Sequence, residues 1–238
     1  MNIFVVISMI SIIGLVGCKT KKESTDHSQS PSPVPVQPAT PVPLEPVATV
    51  PPQPVKPQAP VVDHTLDFKK GTAGAPVTIE YFADLQCGAC KNMSPILEQF
   101  LVTYAGKIQL IFKNFPKDNS CTDYTGQWLH EFSCEAAVAA RCVGLHRQKF
   151  WEYKEHIFDN QSIMNIENFK KWAVEFGMTE VEYEACYNQI EVMDKVKSDV
   201  AEAQSRGVAG TPTIFVNGVK LYPASQVNID AEIKKNLK

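Results

Sequence analysis

Apolar and polar positions divide the chain into three unlike stretches. Residues 3–17 read IFVVISMISIIGLVG, an uninterrupted apolar run. Residues 19–30 are polar, and residues 31–60 alternate Pro with Val, Gln, Ala and Thr, with neither helical nor strand periodicity. Patterned segments begin near Asp63. Pro76 to Phe82 is rich in β-branched and aromatic residues and predicts a strand. Met93, Ile96, Leu97, Phe100 and Leu101 recur at spacings of three and four, the stripe of an amphipathic helix. Lys107 to Phe112 predicts a second strand. From about Ser133 to Arg206 the pattern is helical nearly throughout, with segments at Ala136–Ala140, Phe150–Phe158, Phe169–Phe176 and Val181–Gln204. Thr213 to Val216 predicts a third strand. Asn217-Gly218 is a strong two-residue hairpin signal, with Val219 to Tyr222 as the return strand. Ile229 to Leu237 closes with a short helix. The order is β, α, β, a helical block, a β-hairpin and α, an α/β chain without internal repeats.

The two leading stretches are not expected in the folded core. Twelve of the 17 prolines fall between Pro31 and Pro60, so the average composition describes no single part of the chain. Proline fixes φ and removes a donor, which excludes helix and sheet there. Extended polyproline II is favoured instead, and thirty such residues reach at most roughly 90 Å at about 3.1 Å each. A stalk and a plain linker are both compatible with that. The apolar run is shorter than the ~20 residues of a comfortable bilayer span and fits the apolar region of a secretory signal. Leu15-Val16-Gly17-Cys18 resembles the bacterial lipobox, in which the cysteine is lipidated, although Met1-Asn2 supplies no Lys or Arg. The expected organisation is a lipoprotein signal peptide over 1–17, a polar and Pro-rich linker over 18–62, and a domain over 63–238. Cys18 would then anchor the chain to a membrane of the bacterial cell envelope, on the periplasmic side.

With 238 residues there is room for one large domain or two small ones, and a net charge of −3 leaves no large cationic surface. Nucleic acid is therefore not an expected partner. Seven cysteines is an odd number. With Cys18 set apart, six remain in an exported, oxidising compartment.

Cys87-Gly88-Ala89-Cys90 carries the chemistry. At a strand-to-helix junction the first sulfur sits at a helix N-terminus, where unpaired N–H groups and the helix dipole favour a thiolate. The second lies one turn on and can close a disulfide locally, so one sulfur exchanges and the other resolves the mixed disulfide. Half of a zinc site and a structural bridge are the alternatives. A structural zinc site wants four Cys or His ligands, and the sequence has no second Cys-x-x-Cys and no His-x-x-x-His.

Cys87-Gly88-Ala89-Cys90 before Pro95, and Gly210-Thr211-Pro212-Thr213 before the third strand, resemble the thioredoxin superfamily. Phe115-Pro116, the long helical block and Phe150-Trp151 are similar to its DsbA-like branch of the thioredoxin 4 type. The resemblance covers about Asp63 to Lys238. It implies a thioredoxin-like fold with a central mixed sheet and a helical insertion over about 118–206. It implies that Cys87 is the exposed nucleophile of a thiol-disulfide oxidoreductase and Cys90 the resolving cysteine. It implies that Pro212 is cis beside them, and that Thr211 presents its backbone to an extended substrate peptide. No cofactor or metal is implied. The partners are unfolded or extended exported polypeptides and a membrane redox protein that resets the pair. The direction of electron flow stays open.

Two departures stand out. Related proteins carry an acid six positions before the first active cysteine, where this chain has Tyr81. Glu80 would face the other way on a strand unless a bulge turns it. Asp84 offers a solvent-side carboxylate, though a loop-turn role suits it better. Gly88-Ala89 matches neither the Gly-Pro of reducing thioredoxins nor the Pro-His of the strong oxidant.

Cys121, Cys134, Cys142 and Cys186 allow three pairings. Cys134 and Cys142, eight apart on one helix, would lie about 12 Å apart, beyond the ~7 Å a disulfide spans. Two arrangements remain. Cys121–Cys134 with Cys142–Cys186 is favoured, with buried free thiols as the alternative for the second pair. His130, His146 and His156 lack metal-site spacing and read as solvated or capping. Trp128, Trp151 and Trp172 read as core or groove residues. A second functional reading, metal (copper) handling through Cys87 and Cys90, needs a histidine beside the sulfurs that neither motif supplies. A third is a stalked structural lipoprotein with ordinary thiols.

Overall fold

The computed structural model describes Asp63, residues 65–122 and residues 130–238. The expected signal peptide, the linker, Cys18 and Trp128 lie outside the described residues.

Five strands form one mixed sheet in the order β1-β3-β2-β4-β5. β2 (Val77–Ala83) and β3 (Ile108–Asn114) run parallel at its centre, joined by helix α1 (Gly88–Thr103). β4 (Thr213–Val216) pairs antiparallel with β2 and turns into the short β5 (Val219–Lys220). Asn217 and Gly218 both take positive φ, 45° and 79°, as a two-residue type I′ hairpin demands. The return strand is shorter than the expected Val219–Tyr222: it ends at Lys220, with one further ladder bond from the Leu221 N–H to the Ile214 carbonyl at 3.0 Å. β1 (Phe68–Gly71), antiparallel to β3, has no counterpart in the sequence expectations. Its two lysines and terminal glycine hide the strand signal, and only Phe68 is buried.

Alternation along β2 splits the core in two. Val77, Ile79, Tyr81 and Ala83 join the larger apolar cluster with Leu97, Phe100 and Ile229. Phe82, on the other face, joins Phe115, Val200, Ala203, Val208 and Phe215. Burying a sheet on both faces needs a layer on each side. One is built from α1 and α7 (Gln226–Asn236), the other from α6 (Ile190–Ser205).

The remaining helices are α2 (Ser133–Arg147), α3 (Phe150–Asp159), α4 (Ile166–Glu175) and α5 (Glu180–Tyr187). α2 is the hub, buried along most of its length with alanines at 136, 137, 139 and 140. At Gly144 an added Cβ would fall 2.5 Å from the Phe68 ring, which stacks on Phe150 with centroids 4.0 Å apart.

Two expectations are corrected here. Val181–Gln204 is not one helix. It breaks at Asn188, whose side-chain amide donates to the Glu184 carbonyl at 2.7 Å, and Gln189 opens α6 in extended conformation. α6, at the end of the helical block, also covers the sheet through Val200 and Ala203. β3 also runs two polar residues past its predicted end. Asp199 of α6 accepts from the Asn114 backbone at 3.0 Å and its side-chain amide at 2.9 Å. Lys113 pairs with Asp67 at 2.9 Å and Glu202 at 3.0 Å. Carboxylates on α6 and ahead of β1 thus take up the strand's polar end.

Candidate active site

β2 stops at Ala83, and Asp84-Leu85-Gln86 turns the chain into α1. The Cys87 N–H donates to the Asp84 carbonyl at 3.1 Å, closing the turn. Cys87 caps α1 with φ −78° and ψ 118°, offering its backbone carbonyl to the Lys91 N–H at 3.1 Å. One turn on, Cys90 is fully buried, whereas Cys87 is half-buried. Both are free thiols. Cys121 is bonded to Cys134, and Cys142 to Cys186.

The Thr211–Pro212 bond is cis. The Cys87 sulfur lies 3.6 Å from the Thr211 carbonyl, so two segments 124 residues apart in sequence meet. The surroundings split the sulfurs electrostatically. The Cys87 pKa is drawn down to about 5, first by a hydrogen bond from the Cys90 thiol, then by Thr211 and the Cys90 and Ala89 backbone N–H groups. Burial, and then the Cys87 sulfur, push Cys90 far above its ordinary value. The environment thus favours a thiolate at one sulfur and a proton-bearing thiol at its neighbour.

β2 pairs with β3 in unbroken register from Val77 to Ala83, so no bulge turns Glu80 inward. Glu80 instead takes both Arg206 guanidinium nitrogens at 2.7 Å on the far face of the sheet. Tyr81 occupies the inner position, fully buried, and its hydroxyl donates to the Cys90 carbonyl at 2.8 Å. Burial and the neighbouring Cys90 hold that phenol well above its ordinary pKa, so Tyr81 braces α1 rather than exchanging protons.

A family model described as thioredoxin, of the thioredoxin 4 type, matches residues 67–235. The chain belongs to the thioredoxin family. A probable disulfide bond formation protein D of Bacillus cereus is 25% identical over 182 residues, covering 69% of this chain and 78% of that protein. The Na(+)/H(+) antiporter NhaA 1 of Mycolicibacterium vanbaalenii is 24% identical over 167 residues, 69% of this chain and 25% of the antiporter. The chain thus spans about a quarter of the length of the antiporters it matches. Among solved structures, oxidised BdbD from Bacillus subtilis superposes with a TM-score of 0.59 at 23% identity, covering 71% of this chain and 91% of that one. The alpha-DsbA1 of Wolbachia pipientis gives 0.58 at 20% identity, covering 72% and 92%. At these identities the likeness is one of fold, and the fold is that of the DsbA-like thioredoxins.

Beside the cysteines this thioredoxin domain carries an open groove of about 570 Å³. Ala89, Met93 and Ile96 of α1 line one wall, and Thr211, Pro212 and Tyr222 the other. Tyr222 is 94% exposed. Neither described tryptophan reaches the groove: Trp172 is buried against Phe169, and Trp151 packs edge-on against Phe112 and Phe150.

Three features escaped the sequence. Asp84 is buried, and its carboxylate accepts from the Gln86 N–H at 2.7 Å, the Lys117 N–H at 2.8 Å and the His130 imidazole at 2.7 Å. His130 is therefore not a solvated or capping residue, and Asp84 is more than a turn residue. The pair is 46 positions apart, so no local spacing could reveal it. His156 is not solvated either, its ring lying edge-on to Trp172 and Phe176. Beneath α1, buried Lys154 donates to Ser94 Oγ and Glu155 Oε1, each at 2.5 Å, and lies over the Trp151 and Phe158 rings. Among the described residues no group of three or more His, Cys, Asp or Glu side chains is placed to hold a metal ion. Among them, too, no helix is long and apolar enough to cross a membrane.

Proposed function

We propose that the chain is an envelope thiol-disulfide oxidoreductase acting on cysteines of exported polypeptides through Cys87 and Cys90. The observation that carries this reading is the split between the two sulfurs: a half-buried Cys87 held near pKa 5 against the cis-proline loop, and a fully buried, protonated Cys90. Ordinary structural thiols have no reason to be separated in this way.

In the oxidising direction a client thiolate attacks the Cys87 sulfur of the Cys87–Cys90 disulfide. Cys90 leaves and takes up one proton. A second client thiolate then attacks the client sulfur of the mixed disulfide and expels Cys87 as a thiolate. Two electrons pass from client to pair, and the client departs with a disulfide. The reverse sequence reduces a client disulfide with the same atoms. Thr211 and Pro212 receive the extended client, and the groove beside Met93 and Tyr222 takes its side chains.

The apolar run 3–17 and the Leu15–Cys18 motif support a lipid anchor on Cys18, and the Pro-rich stretch supports a tether. Within that reading a membrane redox protein resets the pair. The test is Cys87→Ser in the full-length chain, assayed for insulin reduction and for dithiol oxidation. Both activities should be lost. Full activity in either assay would end the proposal.

A further inference from the structure

We propose that His130, held by buried Asp84 against the turn that ends in Cys87, is a positioning residue that adds a favourable charge to the environment of the Cys87 thiolate, a contribution the two residues between the cysteines do not make. The inference rests on the redox reading above. Gly88 has no side chain and Ala89 only a methyl group, so neither brings a charge or a side-chain donor to the sulfur.

The segment that leads into α2 supplies one instead. His130 Nδ1 lies 2.7 Å from Asp84 Oδ2, and a carboxylate only accepts, so Nδ1 carries the hydrogen. Two residues on, the Phe132 N–H donates to Gln86 Oε1 at 2.9 Å. The 130–132 segment is thus fastened at two points to the turn that ends in Cys87, whose own N–H closes on the Asp84 carbonyl. Cys134, tied to Cys121, anchors the same segment from the other side.

Asp84 meets His130 from the turn after β2 at 2.7 Å, and the charges of Cys87 at the start of α1 and of Lys117 in the loop after β3 act on it. Glu131, next in sequence, is exposed. The hydrogen bond to Asp84 raises the His130 pKa against the opposing effect of burial. The Cys87 charge adds to the rise, and Lys117 subtracts from it. Coupling is mutual. A sulfur that favours the imidazolium is itself favoured as a thiolate by it. Stabilising the thiolate stabilises the reduced pair and makes the disulfide more oxidising.

The test compares wild type, His130→Gln and His130→Lys in two measurements: thiolate absorbance against pH, and the equilibrium constant with glutathione. Far-ultraviolet circular dichroism and thermal unfolding of the oxidised forms establish that each variant folds. At pH 6, His130→Gln should lower the equilibrium constant for reducing the pair by about fivefold, which is about 20 mV for a two-electron couple. The gap should narrow as pH rises and the wild-type imidazolium loses its proton. His130→Lys keeps its charge to higher pH, so it should match wild type at pH 6 and exceed it once the wild-type imidazole is neutral. A folded His130→Gln chain with wild-type absorbance and glutathione curves would overturn the inference, as would a folded His130→Lys chain that behaves like His130→Gln. Either result, in a wild type that exchanges disulfides, removes only the role of His130. A wild type that exchanges none removes the redox reading itself.

Discussion

The split between the two sulfurs has a thermodynamic consequence that can be measured without any client. In the folded domain Cys87 titrates near pH 5, against an ordinary value of 9.0. Its folded pKa is depressed. The resulting stability is therefore complete above about pH 9 and is lost as pH falls through about 5. Cys90 adds nothing below pH 9, because its folded pKa is raised and the thiol stays protonated in both states. Replacing Cys87 by Ser removes the titrating group and little else. The stability difference between the reduced wild type and Cys87→Ser should then grow with pH. At 1.36 kcal/mol per pKa unit the ceiling for the gain between pH 5 and pH 8 is about 3.7 kcal/mol. Cys87 is only half-buried, and solvent screening brings this to about 2 kcal/mol. Urea unfolding of both reduced chains at pH 5, 6, 7 and 8 reads the difference directly, with thiol counting to verify that the Cys121–Cys134 and Cys142–Cys186 bridges stay closed. A difference that is flat across this range, or that shrinks as pH rises, would refute the electrostatic reasoning.

Two further predictions concern the scaffold. Arg206→Ala removes the two bonds to Glu80 and the stacking on Phe215, whose ring centre lies 3.9 Å from the guanidinium carbon. The loss should be about 2 kcal/mol in urea unfolding, between the values for surface and buried pairs, while Cys87 thiolate absorbance stays unchanged because the pair lies on the far face of the sheet. The two bridges should differ through the loops they close. Converting Cys142 and Cys186 to Ala opens a 44-residue separation and should cost about 4 kcal/mol, against about 3 kcal/mol for Cys121 and Cys134 with a separation of 13. Equal losses in the two double variants would count against the chain-entropy account.

Local patterns made most of the fold legible. β2, α1, β3 and β4 each carry a periodicity that their own residues complete, and Asn217-Gly218 needs only its backbone angles to form a hairpin. Elements whose stability comes from elsewhere were hidden. β1 is FKKG, a strand held by β3 and by the stacking of Phe68 on Phe150, 82 residues away. The last residues of β3, Lys113 and Asn114, look like a loop until Asp67, Asp199 and Glu202 arrive to pair with them. The break at Asn188 is invisible for a related reason. Val181 to Gln204 reads as continuous helix, but Cys186 is bonded to α2 while Val200 and Ala203 must reach the sheet.

The candidate site divides along the same line. Cys87 and Cys90 are legible because sulfur chemistry requires them one turn apart, and Gly210-Thr211-Pro212-Thr213 is legible because it is a contiguous motif. The groups around the sulfurs come in part from distant segments, Thr211 among them. Tyr81 fills the inner position six residues before Cys87, where the resemblance implied an acid, and its hydroxyl braces the Cys90 carbonyl. A buried carboxylate is instead supplied by Asp84, three residues before Cys87, and it organises three loops at once through Gln86, Lys117 and His130. A buried carboxylate is retained only where several donors converge on it, and convergence is a property of the tertiary fold. The helical block therefore does more than cover the sheet. It delivers His130 to the Asp84 turn and Lys154 to Ser94 on the underside of α1, so charged groups from the helical block pack against both segments that hold the cysteines.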